Sequence, residues 1–260
     1  MLNKLLCLRY QVIRTLLPWM LKDSSPEKKK RELVFCDYFK KVSWDGSLWD
    51  VGSSALYHPR RPWQWYGAPF LRKDKAVFKV QHKPRRLWVW QNSQYQTFPF
   101  ETTRIRSVQK FKYGRFECRM SMPKGQHTWP AFWLWGAPWP PEIDVIEAYG
   151  REKGEIDEQE INLHWGGPRP FNVQMYPWRI KIGKRKFYEF AVEWHPHKID
   201  FFTNGVKVFS FRNKELLKEY FSQEMWIVVN HAIKQEVSKD YYSEFEVDYV
   251  RAYKLSCHLK

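Results

Sequence analysis

Glu142, Asp144 and Glu147 put three carboxylates into the six-residue run Glu142-Ile143-Asp144-Val145-Ile146-Glu147, which is otherwise apolar. Branched apolar residues at Ile143, Val145 and Ile146 predict a buried or half-buried strand. Carboxylates crowded into a poorly solvated cleft cannot all ionise freely: one pKa is pushed up while a partner stays charged. An acid and a nucleophile can thus be obtained from one side-chain type. On a regular strand Glu142 and Asp144 share a face and Glu147 points away. One extra residue at Val145-Ile146, a β-bulge, returns Glu147 to the carboxylate face. The backbones of Glu142 and Glu147 are then roughly 13 Å apart, so both side chains must lean inward. A surface strand with solvated acids is the alternative, and the apolar neighbours argue against it.

The elements around this run carry further ordered motifs. Tyr113-Gly114-Arg115-Phe116-Glu117-Cys118-Arg119, Met122-Pro123-Lys124-Gly125 and Trp129-Pro130-Ala131-Phe132-Trp133-Leu134 precede it. Phe190-Ala191-Val192-Glu193-Trp194, Lys198-Ile199-Asp200-Phe201, Asn204-Gly205 and Phe245 to Tyr253 follow. Together with the acidic run, these motifs resemble glycoside hydrolase family 16 in its bulged form, the type found in laminarinases, agarases and carrageenases. The likeness covers roughly residues 33 to 254, and several ordered motifs are more specific than one short pattern. It implies an antiparallel β-sandwich of jelly-roll type with a concave substrate cleft.

The resemblance also implies roles. Glu142 becomes the nucleophile, Glu147 the general acid/base, and Asp144 the partner that hydrogen-bonds the nucleophile. It further implies a sugar groove that includes Trp129 and Trp133. Trp139, just ahead of the acidic run, is another substrate-binding candidate. His164, in a His-aromatic-Gly segment, and Asn230 are candidates on neighbouring strands. The activity implied is retaining endo-hydrolysis of a β-glucan or galactan, with a transglycosylase or a non-hydrolytic carbohydrate-binding protein as alternatives on the same scaffold. No cofactor is required for this chemistry. A structural Ca²⁺ is common in the family, and Asp37 and Asp248, on the first and last predicted strands, are the candidate ligands. Two departures affect the cleft loops: His231-Ala232-Ile233-Lys234-Gln235 stands where many relatives have a Gly-Gly pair, and Gly136 to Pro141 is short and proline-rich.

Composition agrees with one large all-β domain. The chain has 260 residues, 43% hydrophobic and 18% aromatic, enough for a substantial core. Its 15 tryptophans exceed the needs of that core, so some belong in a sugar-stacking groove, while Trp194 and Trp226 are expected as core fillers. The strand at 116–122 alternates Phe116, Cys118, Met120 and Met122 with polar residues and is expected to be half-buried. Asn204-Gly205 marks a hairpin, and Asn213 to Phe221 a helix.

Residues 1 to 31 form a basic extension, with an amphipathic pattern over 1–22 that suits a membrane surface, a partner, or the protein's own sandwich; residues 32 to 260 form the catalytic domain. The apolar runs are too short and interrupted for a membrane span, and no clean cleavage site follows them. The net charge of +16 favours anionic partners, so a sulfated or otherwise anionic polysaccharide is considered; no nucleic-acid-binding module is recognisable. Basic stretches at 60–86 and 161–188 would support such a substrate if they flank the cleft. A monomer is expected. Cys7, Cys36, Cys118 and Cys257 have no metal-ligand spacing. A Cys36–Cys257 bridge and reduced thiols both stay open, and Cys118 is expected in the core.

Overall fold

The computed structural model describes residues 31–51, 63–89, 92–150, 156, 158–166, 173–175, 178–183 and 185–255. The predicted extension, apart from Arg31, and Cys7 and Cys257 lie outside them. In chain order the first strands are β1 (Arg31–Asp37), β2 (Trp49–Asp50), β3 (Gln64–Gly67), β4 (Phe70–Leu71), β5 (Ala76–Val89) and β6 (Gln94–Phe111). Next come β7 (Gly114–Met120), β8 (Thr128–Gly136), β9 (Glu142–Glu147), β10 (Glu158–Gly166), β11 (Val173–Met175) and β12 (Trp178–Lys181). The last are β13 (Tyr188–His195), β14 (Lys198–Thr203), β15 (Val206–Phe211), helix α1 (Lys214–Tyr220), β16 (Met225–Ile233) and β17 (Tyr242–Leu255). Among the described residues no helix is long and apolar enough to cross a membrane.

Strand pairing resolves these elements into two layers. One runs β15-β14-β13-β7-β17-β1. The other runs β6-β16-β8-β9-β10, with β11 and β12 beyond β10 and β2 and β3 also on β6. The 14-residue β5 pairs with both β6 and β17 and so links the layers. All these pairs are antiparallel except β3 on β6. The arrangement is the expected β-sandwich, and its physical cause is alternation. Phe132 and Leu134 of β8, Ile143 of β9 and Ile227 and Val229 of β16 point inward, against Phe116 and Cys118 of β7 and Phe190 and Val192 of β13. Burying each large apolar side chain contributes about 1.5–3 kcal/mol. The opposite face of β8, β9 and β16 is left to line the cleft.

Local signals hold where they were strong. Asn204 and Gly205 take φ values of 49° and 79°, the left-handed pair that a tight hairpin needs, and β14 pairs with β15 across them. Asn213 caps α1 by accepting from Leu216 N at 3.1 Å. Cys118 is fully buried, and Cys36 and Cys118 are free thiols.

Three expectations are corrected. Most of the polar face of β7 is buried: Arg115 is 1% exposed and Glu117 3%, while Arg119 stays partly exposed. Neighbouring β13 and β17 supply the reason, placing Glu193 opposite Arg115 and Arg251 opposite Glu117. Arg115 Nε lies 2.5 Å from Glu117 Oε1, and Arg251 Nη2 2.7 Å from Glu117 Oε2. Arg31 Nη2 adds a contact to Glu193 at 3.0 Å, so the residue assigned to the extension belongs to β1. Trp226, expected as a core filler, is partly exposed beneath Lys110 Nζ at 4.2 Å and the Arg106 guanidinium at 4.6 Å. Trp194 is fully buried and donates from Nε1 to Phe221 O at 3.1 Å.

Candidate active site

The acidic run is an interior strand, with β8 on one side and β10 on the other. Against β8, Trp133 faces Asp144 and Phe132 faces Ile146, so Val145 has no partner. Against β10, Asn162 faces Asp144 and Glu160 faces Glu147, leaving Ile161 to match both Val145 and Ile146. This is the bulge at the expected position. Val145 and Ile146 are fully buried, and Glu142, Asp144 and Glu147 all open into one cavity of about 520 Å³.

Each carboxylate has its own donors. Trp139 Nε1 donates to Glu142 Oε2 at 2.7 Å. The loop carrying Trp139 is closed by Gly136 N–H donating to Pro141 O at 2.9 Å. His164 Nε2 lies 3.0 Å from Asp144 Oδ2 and 3.4 Å from Glu142 Oε1. Glu147 accepts from Trp129 Nε1 at 2.8 Å on Oε1 and from Asn162 Nδ2 at 2.5 Å on Oε2. Trp133 Nε1 donates to Asn230 Oδ1 at 2.7 Å on the cleft floor.

These surroundings disfavour the charged form of each carboxyl group. Burial, then the charge of Asp144, pushes the Glu142 carboxyl well above the ordinary range. Burial, then the charge of Glu147, does the same to Asp144. Burial also raises Glu147, opposed by the hydrogen bonds from Asn162 and Trp129. Asp144 and Glu142 both lie against His164 Nε2, so the imidazole bridges the two acids. The site can therefore hold a proton on one acid while another bears charge.

Trp129, Trp133, Trp139, His164 and Asn230 all line this cavity. The indole N–H groups of Trp129 and Trp139 are committed to the carboxylates, so these two side chains orient the acids as well as wall the cleft. Gln64, Tyr66, Arg104, Tyr149, Glu160 and Asn162 also line it and were not anticipated. Alternation from His164 back through Asn162 to Glu160 could have revealed two of them. Gln64, Tyr66 and Arg104 come from β3 and β6, and only the pairing of those strands brings them here. Tyr149 follows β9, where Gly150 N–H donates to Thr128 O at 3.0 Å and a Cβ on Gly150 would come 1.8 Å from Gly125 O.

Asp37 and Asp248 do not fit a calcium site. Asp37 points inward and accepts from Phe39 N at 2.8 Å, from Trp49 Nε1 at 2.8 Å and from Ser43 Oγ. Asp248 lies on the outer side of β17, where it pairs with Arg119 and Lys75. Among the described residues, Glu142, Asp144 and His164 are the group whose potential ligand atoms lie within 4.8 Å of one another, and they already contact each other. Among the described residues of the two basic stretches, several charges are compensated by neighbouring acids. Arg72 pairs with Glu244 and Glu246, Lys79 and Lys83 with Glu101, Arg179 with Glu160 and Lys181 with Glu158.

A family profile described as Glycosyl hydrolases family 16 matches residues 69–251. A beta-glucanase of Rhodothermus marinus is 24% identical over 89% of this chain and 88% of its own length. A glucan endo-1,3-beta-glucosidase A1 of Niallia circulans is 23% identical over 85% of this chain, which spans 38% of that protein. Among solved structures, LamA of Z. galactanivorans in complex with laminaritriose and laminaritetraose superposes with a TM-score of 0.71 at 21% identity, covering 86% of this chain and 99% of that one.

Proposed function

The chain belongs to glycosyl hydrolase family 16, and from that premise we propose that it cleaves internal β-glycosidic bonds of a polysaccharide with retention of configuration. Glu142 attacks the anomeric carbon while Glu147 gives its proton to the departing glycosidic oxygen. Water then displaces Glu142 from the glycosyl-enzyme, and Glu147 takes a proton from that water, which restores both acids. Asp144, joined to Glu142 through His164, steadies the nucleophile through its change of charge. The observation that carries this reading is the convergence of three donor-held carboxylates from one bulged strand on one cavity. Trp133 and Asn230 on the cavity floor suit a sugar ring, one by its aromatic face and the other by its amide.

A β-1,3-glucan backbone is the favoured substrate, supported by the 1,3-linkage in the name of the Niallia circulans relative and by the beta-glucanase name of the Rhodothermus marinus one. Arg104 favours a second reading, in which the polymer carries sulfate or carboxylate groups. It is 6% exposed, lies 4.8 Å over the Tyr66 ring and has no partner for its Nε. Among the described residues no carboxylate pairs with it, and a buried unpaired guanidinium is costly. The cross-strand row Glu147–Ala131–Asn230–Arg104 puts it about 14 Å from the acids, within reach of a polymer lying across the strands.

The test is a panel of laminarin, mixed-linkage glucan, agarose and carrageenan, read by reducing ends and product size. Short oligosaccharides released from laminarin, with the new reducing end first appearing as the β-anomer, are expected. Preference for the sulfated polymer, lost in Arg104→Met, would favour the second reading. Glycosyl transfer without new reducing ends would point to a transglycosylase. Glu142→Gln should reduce turnover by at least about 10³-fold, and full activity in that variant would overturn the assignment.

A further inference from the structure

We propose that Glu160 is a positioning residue for Glu147: a fourth carboxylate, anchored by Arg179 on the adjacent strand, that keeps the proton of the general acid in place. This rests on the role given to Glu147 above and adds a residue to that site.

Geometry makes the connection direct. Glu160 of β10 is the cross-strand partner of Glu147 of β9. The amide of Asn162 spans the two, donating to Glu147 Oε2 at 2.5 Å and lying 3.3 Å from Glu160 Oε1. Glu160 is 9% exposed and Asn162 1%, so neither is a solvated surface group. Arg179 of β12 is bonded through Nε to Glu160 Oε2 and leaves most of its side chain in solvent. Glu160 also lines a smaller cavity beside the first, shared with Glu147, Tyr149, Arg179 and Lys234.

A second negative charge one strand away disfavours the ionised form of Glu147. The other charged and titratable groups around Glu147 are Asp144 and Glu142 on its own strand, His164 on β10, Tyr149 just after β9, and Lys234 after β16. Of these, His164 favours the charged form, and so do the neutral donors Asn162 and Trp129. Glu160 opposes them. Arg179 tempers that opposition by placing a cation on the far side of Glu160. The acid is thus balanced between donors that stabilise its charge and a carboxylate that repels it.

The experiment is the pH dependence of kcat/KM on the preferred polymer for the native protein, Glu160→Gln and Arg179→Gln. Glu160→Gln should move the alkaline limb to lower pH by about half a unit, roughly a threefold change in the protonated fraction at a fixed pH on the limb. Arg179→Gln leaves Glu160 charged without its cation, so the limb should move to higher pH. Limbs that stay put, or that move in the same direction, would overturn the proposal. Arg179 is largely solvent-exposed, so that variant decides the matter if Glu160→Gln does not fold. Full activity in Glu142→Gln would fail the catalytic reading itself. An inactive Glu142→Gln with unmoved limbs would fail only the role of Glu160.

Discussion

Trp129 Nε1 donates to Glu147 Oε1 at 2.8 Å, while Asn162 holds the other oxygen of the same carboxylate. The indole therefore orients the Glu147 carboxyl group and stabilises its charged form. Trp129→Phe keeps the aromatic face and removes that donor. Its alkaline limb should move to higher pH, opposite to the shift expected for Glu160→Gln. A pH–rate profile that does not move would show that the indole contributes through packing alone.

On the proposed mechanism, Glu147→Gln removes the proton donor and leaves the nucleophile. Hydrolysis of the polymer should fall by about 10²–10⁴-fold. An aryl glycoside with a leaving group that needs no protonation should lose far less at the first step. Stopped-flow measurement of aryl release would separate the two steps.

The buried acids should cost the native state stability near neutral pH. Their folded pKa values are raised, so the folded chain binds more protons than the unfolded one. Stability is then fully present below the ordinary carboxylate range and is lost as pH rises through the folded values. Glu142→Gln should therefore raise Tm at pH 7 and change it little at pH 4. In a chain of this size about 1 kcal/mol corresponds to roughly 2–4 °C, within reach of calorimetry.

Arg115 is buried among Glu117, Glu189 and Glu193 in the layer away from the cleft. Arg115→Met would leave those acids short of a partner. A loss of about 3–5 kcal/mol is expected in denaturant unfolding. A neutral result would mean that Arg31 and Arg251 suffice for the network.

Gly150→Ala introduces a Cβ that meets the backbone oxygen of Gly125, which a rotamer change cannot relieve. A cost of about 1–3 kcal/mol is expected. Because the same segment carries Tyr149 into the cleft, kcat should fall together with Tm.

The bulged acidic strand, the hairpin at Asn204-Gly205 and helix α1 were legible because each rests on local chemistry: alternation, a left-handed turn pair and an N-cap. The polar side of β7 was misread for the complementary reason. Alternation tells which residues share a face, and the strands packed beside that face decide whether water reaches it. Trp226 was misjudged in the same way, since its partners Lys110 and Arg106 lie far away along the chain.

By itself, then, the order of residues determined which acids meet in the site, because Glu142, Asp144 and Glu147 share one short strand and need only a single bulge to face one way. What surrounds those acids was decided by the tertiary structure. Gln64, Tyr66, Arg104 and Asn230 reach the cleft through pairing of β3, β6 and β16. Glu160 and Arg179 meet Glu147 through β10 and β12. Pairing between strands distant along the chain sets the field in which each acid titrates, and no local pattern encodes it.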